Sequence, residues 1–126
     1  MNDPLGLTRG APYNRMLQVP MTVLNTRVLD RFARKHRDAR QSLTDWLATA
    51  EHADWTNIFD VRKTYPSADG VPIRVSSSQT VVVTVFNIKG NEYRLITTID
   101  YLKRTIYVAE ALTHAKYSMN AWKKRL

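Results

Sequence analysis

Residues 81–112, VVVTVFNIKGNEYRLITTIDYLKRTIYVAEAL, decide the fold. Three runs dense in β-branched and aromatic side chains, Val81 to Ile88, Glu92 to Tyr101 and Thr105 to Leu112, are divided by turns rich in Gly, Asn and basic residues. Lys89-Gly90-Asn91 supplies turn chemistry, so the first two runs form a hairpin and the sheet is mainly antiparallel. In the second run Tyr93, Leu95, Thr97 and Ile99 alternate with Arg94, Ile96, Thr98 and Asp100. Strand geometry sends the first set toward a covering layer and Arg94 toward the open face. The same alternation puts Glu110, a carboxylate in an otherwise apolar strand, beside Ile106, Val108 and Leu112 and facing inward, as a buried salt bridge or as a general base.

Upstream, Val71 to Val75 reads as one more strand, and before it the period changes. Val28, Leu29, Phe32, Ala33 and His36 form one helical stripe, with Asn25 or Thr26 as N-cap. Ala39, Leu43, Trp46, Leu47 and Ala50 repeat that spacing, which predicts a second helix from about Asp38 to His52. A third, shorter helix starts at Asp54 or Thr56, carries Ile58, Phe59, Arg62 and Lys63, and ends at Tyr65-Pro66. Met21 to Leu24 is a short strand, an alternative start of the protein, or both. Residues 1–20 hold three of the five prolines and two of the four glycines without periodicity, and read as an extension. The fold class is α+β: one domain over 21–126, with a short strand, a helix pair and a short helix on one face of the sheet.

Composition bounds the function. A chain of 126 residues is one domain, and 44% apolar side chains are enough for a core. Nineteen Lys and Arg against 11 Asp and Glu give +8 and a pI near 10, which favours a polyanionic partner, nucleic acid before anionic membrane. No cysteine means no disulfide and no thiolate metal site. His36, His52 and His114 lie far apart and share no ligand spacing with carboxylates, so neither a metal nor a cofactor is expected. The longest apolar run, Val81 to Phe86, is far short of the roughly 20 residues that span a bilayer, so the expectation is a soluble, cytoplasmic protein without membrane attachment.

Several spaced motifs carry a likeness: Phe86-Asn87-Ile88-Lys89-Gly90-Asn91-Glu92-Tyr93-Arg94-Leu95-Ile96, then Thr113-His114-Ala115-Lys116-Tyr117, with Ala53-Asp54-Trp55 and Tyr65-Pro66-Ser67-Ala68-Asp69 upstream. Over about residues 21–119 the chain resembles the HigB-type branch of the RelE-like toxins. The resemblance implies a metal-independent messenger RNA interferase that acts on ribosome-bound transcripts and touches ribosomal RNA. It also implies neutralisation by a HigA-like helix-turn-helix antitoxin, through which alone operator DNA would be bound. The family's usual Thr-His-Ala-Glu-Tyr is here Thr-His-Ala-Lys-Tyr, with Lys116 replacing an acid at what reads as a surface position.

Cutting RNA without a metal needs a base for the 2′-hydroxyl, a cation for the phosphorane and an acid for the leaving 5′-oxygen. Arg94 is the first candidate, since a guanidinium stays charged and can fork onto two phosphate oxygens; without the resemblance it would read as a solvated sheet arginine. His114 carries an imidazole, the side chain type that ordinarily exchanges protons near neutral pH, and is assigned general acid, against the plainer role of a strand-end histidine. Lys89 serves as base only if crowding by Arg94 and Arg104 depresses its pKa. Asn87 and Asn91 flank the turn, where they could orient phosphate or simply supply turn propensity. Tyr117 could stack on a base or fill core. Arg104 and Lys63 complete the RNA-binding set. Arg27, Arg31, Arg34, Lys35, Arg37 and Arg40 make the first helix and its exit strongly basic, and Lys123-Lys124-Arg125 adds a smaller patch, both suited to ribosomal RNA or an acidic antitoxin segment. A non-catalytic RNA-binding module is the alternative.

Overall fold

Lys89 and Gly90 adopt left-handed backbone, φ 52° and 64°, and so fold the chain tightly between two strands. The computed structural model describes residues 20–126, so the reading of residues 1–19 as an extension lies outside the described residues. In chain order the elements are β1 (Thr22–Leu24), α1 (Arg27–Lys35), a 3-10 turn (Arg37–Ala39), α2 (Arg40–Glu51), α3 (Ile58–Thr64), β2 (Asp69–Arg74), β3 (Thr80–Ile88), β4 (Tyr93–Asp100), β5 (Thr105–Thr113), α4 (His114–Ser118) and a final 3-10 turn (Ala121–Arg125). The five strands lie in the order β1-β5-β4-β3-β2. β1 runs parallel to β5 and the other pairs are antiparallel. Pro72 sits in the edge strand β2, where a missing N–H is tolerated.

The helix boundaries differ from the sequence reading where side chains take other partners. Neither Asn25 nor Thr26 caps α1 with its side chain. Asn25 instead turns the chain at φ 65° and donates its Nδ2 to the Val108 carbonyl at 2.8 Å, tying the β1–α1 joint to β5. The N-cap of α3 is Asn57, whose side chain accepts from the Asp60 amide at 3.0 Å. The Asp60 carboxylate accepts in return from the Thr56 hydroxyl at 2.6 Å and its amide at 3.0 Å, a reciprocal cap. The helix ends at Thr64, before Tyr65-Pro66, as the sequence predicts.

One face of the sheet meets the helices. Tyr93, Leu95 and Ile99 join Phe86, Ile106 and Val108 in a core with Leu29, Leu43, Trp46 and Val61, and Thr97 is fully buried, its hydroxyl donating to the Thr84 carbonyl. Phe86 is the aromatic hub, edge-on to Trp46 and Tyr65 with centroids 5.3 Å away in each case.

The opposite face departs from expectation in two ways. A register shift between Ile96 and Thr97 pairs Thr97 with Val108 but Ile96 with Glu110. The extra residue reverses the side-chain alternation, so Ile106 and Val108 point to the helices while Glu110 and Leu112 point away. Glu110 is therefore not grouped with Ile106 and Val108; it forms a two-pronged ion pair with Arg125 at 2.6 and 3.2 Å. Nor is the middle of this face open: Trp122 of the final turn packs on Ile73, Val83, Val85, Ile96 and Leu112. These aliphatic residues need cover, and the C-terminal segment supplies it.

Candidate active site

Arg94 lies on this second face near the start of β4, opposite Asn87 of β3 and Leu112 of β5. Its guanidinium donates to the Asn91 side-chain oxygen at 2.5 Å and to the Asn91 and Tyr93 carbonyls at 3.1 Å each. The left-handed turn carries Asn91 back to meet it. At 5.6 Å from the Tyr117 ring centroid, the guanidinium also makes a cation–π contact. Tyr117 in turn stacks on Trp122, centroids 5.2 Å apart, and Trp122 donates its Nε1 to the Tyr117 carbonyl at 2.9 Å. Partial burial pushes the Tyr117 hydroxyl above its ordinary pKa, with the Asp69 carboxylate adding to the shift and Arg94 opposing it. Asp69 is thus electrostatically part of the cluster; Arg62 approaches it at 3.9 Å.

His114 opens α4. Its amide donates to the Glu92 carbonyl at 3.0 Å, two residues from Arg94, and the Thr113 hydroxyl caps the helix by accepting from the Lys116 amide at 3.2 Å. The imidazole is exposed and has no hydrogen-bond partner among the described residues. Lys116, in place of the usual acid, is exposed.

Other sequence candidates go elsewhere. Lys89 pairs with Asp38 at 2.9 Å, and the Tyr93 hydroxyl donates to the other Asp38 oxygen at 2.6 Å. The two hydrogen bonds, Tyr93 first, hold Asp38 below the usual carboxylate range. Bonding to Asp38 raises Lys89, and raises Tyr93 to about 12. A base needs the opposite shift, so the depression expected from neighbouring arginines is absent. Arg104 occupies the β4–β5 turn, at the other end of β4 from Arg94, and donates to the Trp55 and Ala53 carbonyls at 2.9 and 3.3 Å and to Asp54 at 3.1 Å. It pins the α2–α3 connection. Lys63 is exposed on α3 and pairs with Asp60 at 3.5 Å.

The structure thus brings together Arg94, Asn87, Asn91 and Tyr117, with His114 at the adjoining strand end. Sequence reasoning gave Asp69 no role beyond its place in the Tyr65-Pro66-Ser67-Ala68-Asp69 motif, and missed Trp122 as the support of Tyr117. Among the described residues there is no group of three or more potential metal ligands, and no helix is long and apolar enough to cross a membrane.

The HigB_toxin family model, for the RelE-like toxic component of a toxin-antitoxin system, matches residues 39–120. The chain belongs to this family. The HigB match includes every residue of the Arg94 cluster except Trp122, and it begins after β1 and α1, later than the likeness read from about residue 21. No curated protein matches the chain closely enough to count as a relative. As a HigB-family toxin, the protein is one half of a pair whose other half is an antitoxin.

Proposed function

We propose that this HigB-family toxin is a metal-independent endoribonuclease that cleaves messenger RNA on the ribosome and is neutralised by a HigA-like antitoxin. The observation that carries the reading is the fixed guanidinium of Arg94. Its bonds to Asn91 and Tyr93 set its plane and leave at least two of its five N–H donors for a phosphate.

In the proposed reaction the 2′-oxygen attacks phosphorus and the bond to the 5′-oxygen breaks, leaving a 2′,3′-cyclic phosphate and a free 5′-hydroxyl. Arg94 stabilises the charge that builds on the non-bridging oxygens. His114, exposed at the head of α4, gives its proton to the departing 5′-oxygen. With Lys89 committed to Asp38, Asp69, which pairs across the strands with Val85 of this same face, is the candidate to take the 2′-hydroxyl proton. Tyr117 offers a ring for a base and a hydroxyl for phosphate. So few groups position the RNA that the ribosome is assigned the task of ordering it.

The test is controlled induction of the wild type, Arg94→Ala and His114→Ala in bacteria, with 5′ ends of messenger RNA mapped with and without translation. Translation-dependent cuts by the wild type, lost in both folded variants at equal expression, are the expected result. Growth arrest with uncut messages would leave a non-catalytic RNA-binding module in its place.

A further inference from the structure

The face that carries Arg94 holds a second feature at its far end. β1 pairs with Thr105, Ile106 and Tyr107, so beyond Tyr107 the outer edge of β5 has no strand partner among the described residues and α1 lies along it instead. Between α1, the sheet and the final turn is a cleft of about 940 Å³. That is near the top of the roughly 300–1,000 Å³ range of ligand-binding clefts, with room for several side chains. Val28 and Phe32 of α1 form one wall, and Ile73, Val75, Val83 and Ala109 are among the residues of the floor. Val75 and Tyr107 are exposed.

The rim has the opposite character. Arg31, Arg34 and Lys35 of α1 and Arg125 of the final turn line it, against one acidic side chain, Glu110. Glu110 is taken by Arg125 and Arg34 by Asp30, whereas Arg31 and Lys35 have no carboxylate partner among the described residues. An apolar floor under a cationic rim selects its occupant. RNA would bring phosphates to the rim and could stack on Phe32 or Tyr107, but most of the lining, Val28, Ile73, Val75, Val81, Val83 and Ala109, is aliphatic and would strip water from the RNA backbone without return. A polypeptide with an aliphatic stripe flanked by Asp and Glu satisfies both parts at once.

We propose that the antitoxin docks an acidic amphipathic segment in this cleft, its aliphatic side chains on the Ile73–Val83 floor and its carboxylates against Arg31 and Lys35. The proposal rests on the toxin reading above for the partner, and places that partner at the end of the sheet face away from Arg94.

The experiment measures affinity of the full chain for its purified antitoxin by calorimetry, at two salt concentrations. Val75→Glu places a carboxylate on the exposed part of the floor, and Arg31→Glu with Lys35→Glu reverses the rim without touching the core. Each is expected to weaken binding about tenfold or more, and the rim variant to flatten the salt dependence. Arg40→Glu, on α2 and outside the cleft, is expected to stay within about twofold of wild type. Unchanged affinity in both cleft variants, each folded by circular dichroism, would overturn the proposal. Messenger RNA cleavage by Val75→Glu in the absence of antitoxin separates the two readings. Lost antitoxin binding with no cleavage even by wild type would sink the nuclease and keep the cleft, whereas cleavage with unaltered binding would sink the cleft alone.

Discussion

The two faces of one sheet are put to different uses. Toward the helices, β3, β4 and β5 present Phe86, Leu95, Ile106 and Val108, all fully buried, and the aromatic rings of Trp46, Trp55 and Tyr65 close over them. Away from the helices the same strands present Arg94, Ile96 and Glu110, and among the described residues cover is supplied by Trp122 and its neighbours. The helix face is packed as a closed core. The other face divides into a polar end around Arg94, a small apolar middle and an unfilled cleft. A sheet buried on one side can keep reactive side chains on the other because strand alternation separates them completely.

Substitutions on the two faces should therefore have different signatures. Phe86→Ala should have the largest effect, about 3–5 kcal/mol of lost stability by urea denaturation, since it removes the hub of three aromatic contacts. Activity per folded molecule should be unchanged. Trp122→Ala should fall toward the lower end of that same roughly 3–5 kcal/mol range and should also reduce cleavage, because Tyr117 loses its stacking support beside Arg94. A Trp122 variant that is destabilised but fully active would erase the distinction between the faces. Arg104→Ala should cost about 1–3 kcal/mol by leaving the Trp55 and Ala53 carbonyls short of a donor. A drop in RNA affinity beyond the loss of folded protein would return Arg104 to the RNA-facing set.

The smallest effect concerns Asp38, and its sign follows from the depressed pKa. A carboxyl whose pKa is lowered by folding adds stability above its unfolded value of 3.8 and loses it as pH falls through the folded value. Asp38→Asn should therefore lower the melting temperature slightly at neutral pH, with the difference closing as acid protonates the wild-type carboxyl. At the alkaline end, Tyr93 and Lys89 are raised by the same contacts, so their share is complete below their unfolded values of 10.0 and 10.5 and is lost as pH rises through the folded ones. Parallel melting curves for wild type and Asp38→Asn across the acid range would refute the linkage.

Much of this was legible in the chain. Alternation in Tyr93-Arg94-Leu95-Ile96 assigned both faces of β4, and the Val28-Leu29-Phe32-Ala33 stripe located α1. What escaped depends on contacts distant in sequence. The β5 irregularity escaped because Ile106, Val108, Glu110 and Leu112 alternate without a break, and only pairing with β4 reveals the added residue. Lys89 looked like a base because its partner is 51 positions away, on a turn read as the start of a helix. Arg104 was read by its charge alone, while the fold uses its geometry to gather carbonyls. In the Arg94 cluster, Arg94 and Tyr117 could be named from the motifs; their support by Trp122 could not, since a lone Trp among lysines carries no periodic signal.

The contact between Asn25 and Val108 spans 83 residues. Among the described strands, β1 is synthesised first, yet its only pairing partner, β5, is synthesised last. At about 5–20 residues per second, roughly 4 to 17 s of translation separate the two. Until then β1 has no hydrogen-bonded neighbour, and the strand end that bears His114 does not exist. The sheet that frames the Arg94 cluster can thus close only after β5 has been made, however early β1 leaves the ribosome.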